Sequence, residues 1–261
     1  MKPRLALGRF LIRAGRFVQS LSLMAMRPGD LVESTRRAYS RPDSIEGWAE
    51  DKIVEAGLSE AETALLEHVP FRKGKCLVLG VGGGREALAL ARMGFGVTGL
   101  DFVPNLVARA NENARARNLA FEGLVQDMTR LDVPSGTFDV VCLLAGTYSS
   151  VPTSRARLAM LGRVREALRP GGYFICQFLG GTEEEFGRAG EFLRRAFAVL
   201  TLGDLSYERG DKLAPNGEFL HVFGSEGELR SEFERAGLEV VALNFATGTA
   251  RGGAVTRKLP Q

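Results

Sequence analysis

The chain has 261 residues, 45% of them apolar, which suffices for one large α/β core, and 34 basic against 31 acidic side chains leave a net charge of +3. That near balance supplies no continuous basic footprint for nucleic acid, and no uncharged apolar run is long enough to predict a membrane-spanning helix. The three cysteines, Cys76, Cys142 and Cys176, lack metal-ligand spacing and fall in apolar runs, so reduced core thiols, a cytoplasmic setting and no metal are expected.

The charge is unevenly spread. Residues 1–41 carry nine Lys or Arg against Asp30 and Glu33, a net +7, so the rest of the chain carries −4. Arg9, Arg13 and Arg16 fall on one stripe of a predicted helix, with Phe10, Ala14, Phe17, Val18 and Leu21 on the other side. A basic amphipathic helix of this kind suits docking on protein, peripheral contact with an anionic membrane through residues 1–27, or targeting. Arginines interrupt its apolar stretch, so a secretory signal is not expected. Residues 42–261 read as one domain without linker or repeat. It opens with two predicted helices, residues 44–57 and 59–68, the second started by a capping box of Ser59 and Glu62. Tyr39 and Trp48 in this region are candidates for core packing or ligand contact, and His68 sits at a predicted helix end.

The most informative stretch follows. Cys76 to Leu79 is an apolar run, Gly80 to Gly84 a turn nearly without side chains, and Arg85 to Met93 a predicted helix. A second apolar run, residues 95–101, closes on Asp101. Strand, glycine loop and helix in this order build a cradle for a nucleotide-like ligand: glycines permit positive φ and close approach, the helix start offers free N–H groups, and a carboxylate at the next strand end accepts ribose hydroxyls. A dinucleotide fingerprint needs glycine at the sixth position, where Arg85 stands, and no Lys followed by Ser or Thr marks a P-loop.

This pattern resembles the class I S-adenosylmethionine-dependent methyltransferases, whose first motif is an apolar strand, GxGxG and a helix. The resemblance runs in unbroken order over residues 75–180: Asp101 and Phe102 after the second strand, Asp127 and Met128 after the third, FDVVCLLAG at 138–146 as the fourth, a helix at 155–168, and LRPGGYFICQF at 168–178 as the turn and fifth strand. It implies a Rossmann-like, doubly wound, seven-stranded, mostly parallel sheet with the last strand antiparallel, N-terminal helices and an insertion after the fifth strand. It implies S-adenosylmethionine as cofactor, held by Gly80, Val81, Gly82, Gly84, Asp101, Phe102, Asp127, Met128, Leu144 and Ala145. One departure is Val78, where many members carry an acid that places the methionine part. The amino group then needs other partners, such as carbonyls of the Gly80 to Gly84 loop.

Beyond the fifth strand, residues 182–200 are predicted helical, and runs at 202–210 and 217–224 flank a Pro215-Asn216-Gly217 turn, a predicted hairpin. Residues 182–223 are thus expected to cover substrate. A helix over 225–236, ended by Gly237, and strands in 238–246 and 252–259 close the sheet. Methyl transfer from a sulfonium needs mainly alignment, with a base only where the acceptor starts protonated. Tyr148, after the fourth strand, and His221, in the hairpin, are the catalytic candidates; each has a plain packing alternative. Residues 146–149 do not resemble the Asn-Pro-Pro-Tyr loop of nucleic-acid amino methyltransferases, so a small-molecule or lipid-like acceptor is expected. A non-catalytic adenosyl-binding scaffold and an NAD-dependent oxidoreductase are the competing readings.

Overall fold

A computed structural model of the chain describes residues 3–181, 187–203, 205–246 and 251–260. Five helices precede the sheet: α1 (Pro3–Ala25), α2 (Pro28–Tyr39), α3 (Pro42–Ala49), α4 (Asp51–Glu55) and α5 (Glu60–Glu67). Prolines at the starts of α2 and α3 separate them, since proline suits a first helical turn and breaks a preceding one. The helix expected over 44–57 is two, because Glu50 is extended at ψ 134°. The Ser59–Glu62 capping box is formed, with the Glu62 N–H donating to Ser59 Oγ at 3.3 Å and the Ser59 N–H to Glu62 Oε2 at 2.7 Å.

The alternating core follows: β1 (Gly74–Leu79), α6 (Arg85–Arg92), β2 (Phe95–Asp101), α7 (Pro104–Ala116), β3 (Phe121–Val125), β4 (Phe138–Leu143), α8 (Ser154–Ala167) and β5 (Leu168–Gly180). The chain then runs through α9 (Gly187–Leu200), β6 (Asp211–Leu213), β7 (Phe219–Phe223), α10 (Glu226–Arg235), β8 (Leu238–Asn244) and β9 (Arg251–Lys258). Parallel strands lie in the order β3-β2-β1-β4-β5, and β9 pairs antiparallel with both β5 and β8. These seven strands are the sheet expected from sequence. The hairpin β6–β7 adds two more, as β7 joins the end of β5 through Leu179 and Gly180.

The predicted hairpin turns at Pro215-Asn216-Gly217, but its first strand is Asp211–Leu213 and not the predicted run at 202–210, of which residue 204 lies outside the described residues. Within the expected helix 182–200, residues 182–186 lie outside the described residues. Both sheet faces are covered. Leu77, Leu79, Val141, Phe174 and Phe178 pack toward α8 and α10, and Cys76, Val78, Val140, Cys142 and Ile175 pack on the other face. Val78 is therefore core, 2% exposed. The order reverses between β1 and β4, which opens a crevice beyond their carboxyl ends.

Candidate functional site

A cavity of about 410 Å³ fills that crevice. The glycine loop forms its floor. Gly80 and Gly82 have φ of +69° and +52°, and nothing lies within 4 Å of where a Gly82 Cβ would stand. A Gly83 Cβ would instead meet the Trp48 carbonyl oxygen at 2.2 Å, so the loop is seated directly against the backbone of α3. Arg85 strengthens this seat: it donates to Gly57 O at 2.6 Å and grips both Glu62 oxygens at 2.8 and 2.7 Å, while also contacting Glu86. Burial works against the Glu62 charge, but Arg85 and the Ser59 N–H outweigh it and hold the carboxyl below its usual range. The capping residue of α5 thus also ties the N-terminal helices to α6.

Asp101 closes the next wall. Its oxygens accept from Gly82 N–H and Val103 N–H, each at 3.0 Å, which locks the carboxylate beneath the loop. Burial pushes its carboxyl above the usual range, opposed by the N–H groups of Val103, Gly82 and Phe102. Phe102, Leu106 and Met128 supply an apolar slot beside it, and Asp127 is held by Thr129 through its N–H at 2.8 Å and hydroxyl at 2.7 Å. At the end of β4, Ala145 and Gly146 take φ of +58° and +83°. A left-handed alanine is costly and marks a constrained turn. Gln177 holds it, its Oε1 accepting the Ala145 N–H at 2.9 Å. The turn sends Thr147, Ser150 and Val151 to the cavity.

Of the residues expected to bind cofactor, Gly80, Val81, Gly82, Asp101, Phe102, Asp127, Met128 and Ala145 line the cavity together. Gly84 and Leu144 do not. Gly84 starts α6 and packs on Leu88 and Ala110, and Leu144 belongs to the core.

Neither catalytic candidate lines the cavity, which corrects the sequence expectation. Tyr148 is wholly buried, stacks on Phe223 and donates to Glu232 Oε2 at 2.6 Å. Burial, then the Glu232 charge, pushes its hydroxyl well above the ordinary value, so it stays a fixed donor. His221 is equally buried, between Asp211 at 2.6 Å and Glu228 at 3.2 Å. Burial and Arg157 oppose its charge, but the two carboxylates prevail and raise its pKa to about 9. Arg157 completes the network through Glu232 at 2.7 Å and Glu208 at 2.6 Å. Glu208, Asp211 and His221 are close enough to share a cation, yet each already has a partner in this network. The network braces the hairpin against α8 and α10.

The cavity is also lined by residues that the sequence did not single out: Glu218 and Leu220 of the hairpin, Thr35 of α2, and Arg251. Tyr39, also there, donates to Glu218 Oε1 at 2.7 Å. Burial first, then Glu218 and Asp101, push the Tyr39 hydroxyl above its ordinary value, so it remains protonated. A one-residue polar position beside the Pro-Asn-Gly turn was the only sequence signal for Glu218.

A family model described as a methyltransferase domain matches residues 76–172. A ubiquinone biosynthesis O-methyltransferase of Paramagnetospirillum magneticum is 36% identical over 120 residues, 46% of each chain, and one from Cereibacter sphaeroides is 30% identical over 139 residues. The chain spans about half the length of the curated relatives it matches. A solved S-adenosylmethionine-dependent methyltransferase from Methanosarcina mazei shares the fold at TM-score 0.60 and 24% identity, covering 78% of this chain and 100% of that one. The 1,6-didemethyltoxoflavin-N1-methyltransferase of Burkholderia thailandensis, with bound 1,6-didemethyltoxoflavin and S-adenosylhomocysteine, matches at TM-score 0.61 and 18% identity, covering 89% and 90%.

Proposed function

We propose that this chain, which through residues 76–172 belongs to the class I methyltransferase-domain family, is an S-adenosylmethionine-dependent O-methyltransferase acting on a small or lipid-like acceptor that carries a hydroxyl. The carrying observation is that one cavity joins the Gly80 to Gly83 floor and Asp101 to the Tyr39–Glu218 pair. The residues present fit the cofactor. Open space over Gly82 admits a ligand against the backbone, the buried Asp101 suits two ribose hydroxyls, and Phe102, Leu106 and Met128 suit an adenine face. With Val78 in the core, Glu86, which also lines the cavity, is the carboxylate available to the amino group.

S-adenosylmethionine, when bound, supplies an activated methyl group. The chain's own work is positioning and proton removal. Glu218 accepts the acceptor's hydroxyl proton as the new oxygen–carbon bond forms, while the protonated Tyr39 orients the Glu218 carboxylate. Arg251, lining the same cavity, offsets the negative charge that develops on the acceptor oxygen. Glu218 and Leu220 of the hairpin line the same cavity, which supports a substrate-covering role for the hairpin. The relatives named for ubiquinone biosynthesis O-methylation support a quinol-like acceptor.

Calorimetric titration with S-adenosylhomocysteine and with NAD tests the donor. Asp101→Ala should weaken S-adenosylhomocysteine binding by about 1 to 3 kcal/mol. NAD binding alone overturns the reading. With a phenolic quinol analogue as acceptor, Glu218→Gln should lower kcat on the order of a hundredfold at unchanged cofactor affinity; an unchanged kcat removes Glu218 as the base.

A further inference from the structure

We propose that Arg251 binds a carboxylate of the acceptor, so that the molecule methylated is a hydroxy acid; this deepens the O-methyltransferase reading and rests on it. The cavity is lined by four carboxylates, Glu86, Asp101, Asp127 and Glu218, and by two arginines, Arg85 and Arg251. Arg85 is already held, by Glu62 at 2.7 Å and by Glu86. The Arg251 guanidinium has no hydrogen-bond or ion-pair partner among the described residues, and neither have the hydroxyls of Thr147 and Ser150, which line the same cavity. Arg251 is thus the cavity cation left to take an anion from outside the chain.

Local structure holds this group in place. Arg251 opens β9 and pairs with Leu179 of β5, another cavity residue, so its backbone belongs to the sheet. Its side chain lies along Gly146: a Cβ there would stand 3.2 Å from Arg251 Nε and 3.3 Å from Cδ, and the glycine leaves that space to the arginine. Gly146 leads into the short helical turn Thr147–Ser150, which carries both free hydroxyls. Burial first, then Glu218, push the Tyr39 hydroxyl up, and the Arg251 charge opposes them, so the guanidinium stands within electrostatic reach of the Tyr39–Glu218 pair. A planar fork of N–H donors with hydroxyls beside it matches the two oxygens of a carboxylate. A phosphate, with nearly two charges, would be repelled more strongly by the four carboxylates of the wall. The donor also carries a carboxylate, but on the same carbon as the amino group assigned to Glu86, which ties it to the glycine loop rather than to the Tyr39–Glu218 pair. An acid bound at Arg251 presents its hydroxyl to Glu218, and the five N–H donors of the guanidinium suffice for the carboxylate and the reacting oxygen together.

The test is calorimetric titration of the full chain, saturated with S-adenosylhomocysteine, with 3-hydroxybenzoate and with the uncharged 3-hydroxybenzamide. The wild type should bind the acid about tenfold more tightly than the amide, the low end for a hydrogen-bonded charge because solvent reaches Arg251. Arg251→Gln should abolish this preference by weakening the acid alone, and Arg251→Lys should restore part of it. Equal affinity of the wild type for acid and amide, or no binding of either, overturns the proposal, as does an Arg251→Gln variant that weakens both alike. Loss of S-adenosylhomocysteine affinity in Arg251→Gln also overturns it, since Arg251 would then hold the donor's carboxylate. Methylation is read separately with labelled S-adenosylmethionine: an acid held through Arg251 yet never methylated removes the O-methyltransferase reading and leaves the carboxylate site standing.

Discussion

Replacing Gly83 with Ala should unseat the N-terminal helices from the glycine loop. The added Cβ would lie 2.2 Å from the Trp48 carbonyl oxygen and 2.7 Å from the Ala49 Cα, on the order of 1 Å inside contact. Both neighbours are backbone, so no side-chain rotation relieves the clash and α3 itself must retreat. Overpacking of this kind costs about 1 to 3 kcal/mol. At about 2 to 4 °C per kcal/mol for a chain of this size, Tm should fall by roughly 2 to 12 °C. Gly82→Ala is the matched control. Its Cβ meets nothing within 4 Å, so only the left-handed backbone opposes it, at about 1 to 2 kcal/mol, but its methyl group stands in the cavity. Thermal melts and calorimetric titration with S-adenosylhomocysteine separate the two effects. Gly83→Ala should lose stability and some affinity, whereas Gly82→Ala should lose mainly affinity. Wild-type melting of Gly83→Ala, or wild-type binding by Gly82→Ala, refutes the seating of this loop.

Two further expectations concern the buried network. Tyr148→Phe removes the 2.6 Å hydrogen bond to Glu232 and should cost about 1.5 to 3 kcal/mol in stability while leaving acceptor turnover intact; a collapse of kcat with unchanged Tm would restore Tyr148 to the chemistry. For His221, the folded pKa of about 9 stands above the ordinary 6.5, so the folded state holds a proton that the unfolded chain releases. The resulting stability, up to ~3 kcal/mol, is complete below pH 6.5 and is lost as pH rises through 9. Melting curves of the wild type and His221→Gln between pH 6 and 10 read this out, and parallel slopes for the two proteins contradict it.

The alternation of apolar runs, glycine turns and helical periods determined by itself the order of strands and helices, the glycine-loop wall of the cavity and the capping of α5 and α10. These are local matters: backbone conformation at Gly80 and Gly82, side-chain periodicity, and a carboxylate fixed at the end of one strand. Residues such as Asp101 and Asp127 were legible because their strand ends converge wherever a parallel sheet reverses its order. Only the tertiary structure decided which polar groups face the cavity. Tyr148 and His221 lie in the right segments, yet the turn at Ala145 and Gly146 and the pairing of Asp211 with His221 direct them into a buried ionic network. Tyr39 and Glu218, 179 residues apart, meet in the cavity because α2 and the hairpin pack side by side. Sequence spacing carries no record of such long-range contacts, whose partners are selected by packing and by the need to satisfy buried charge.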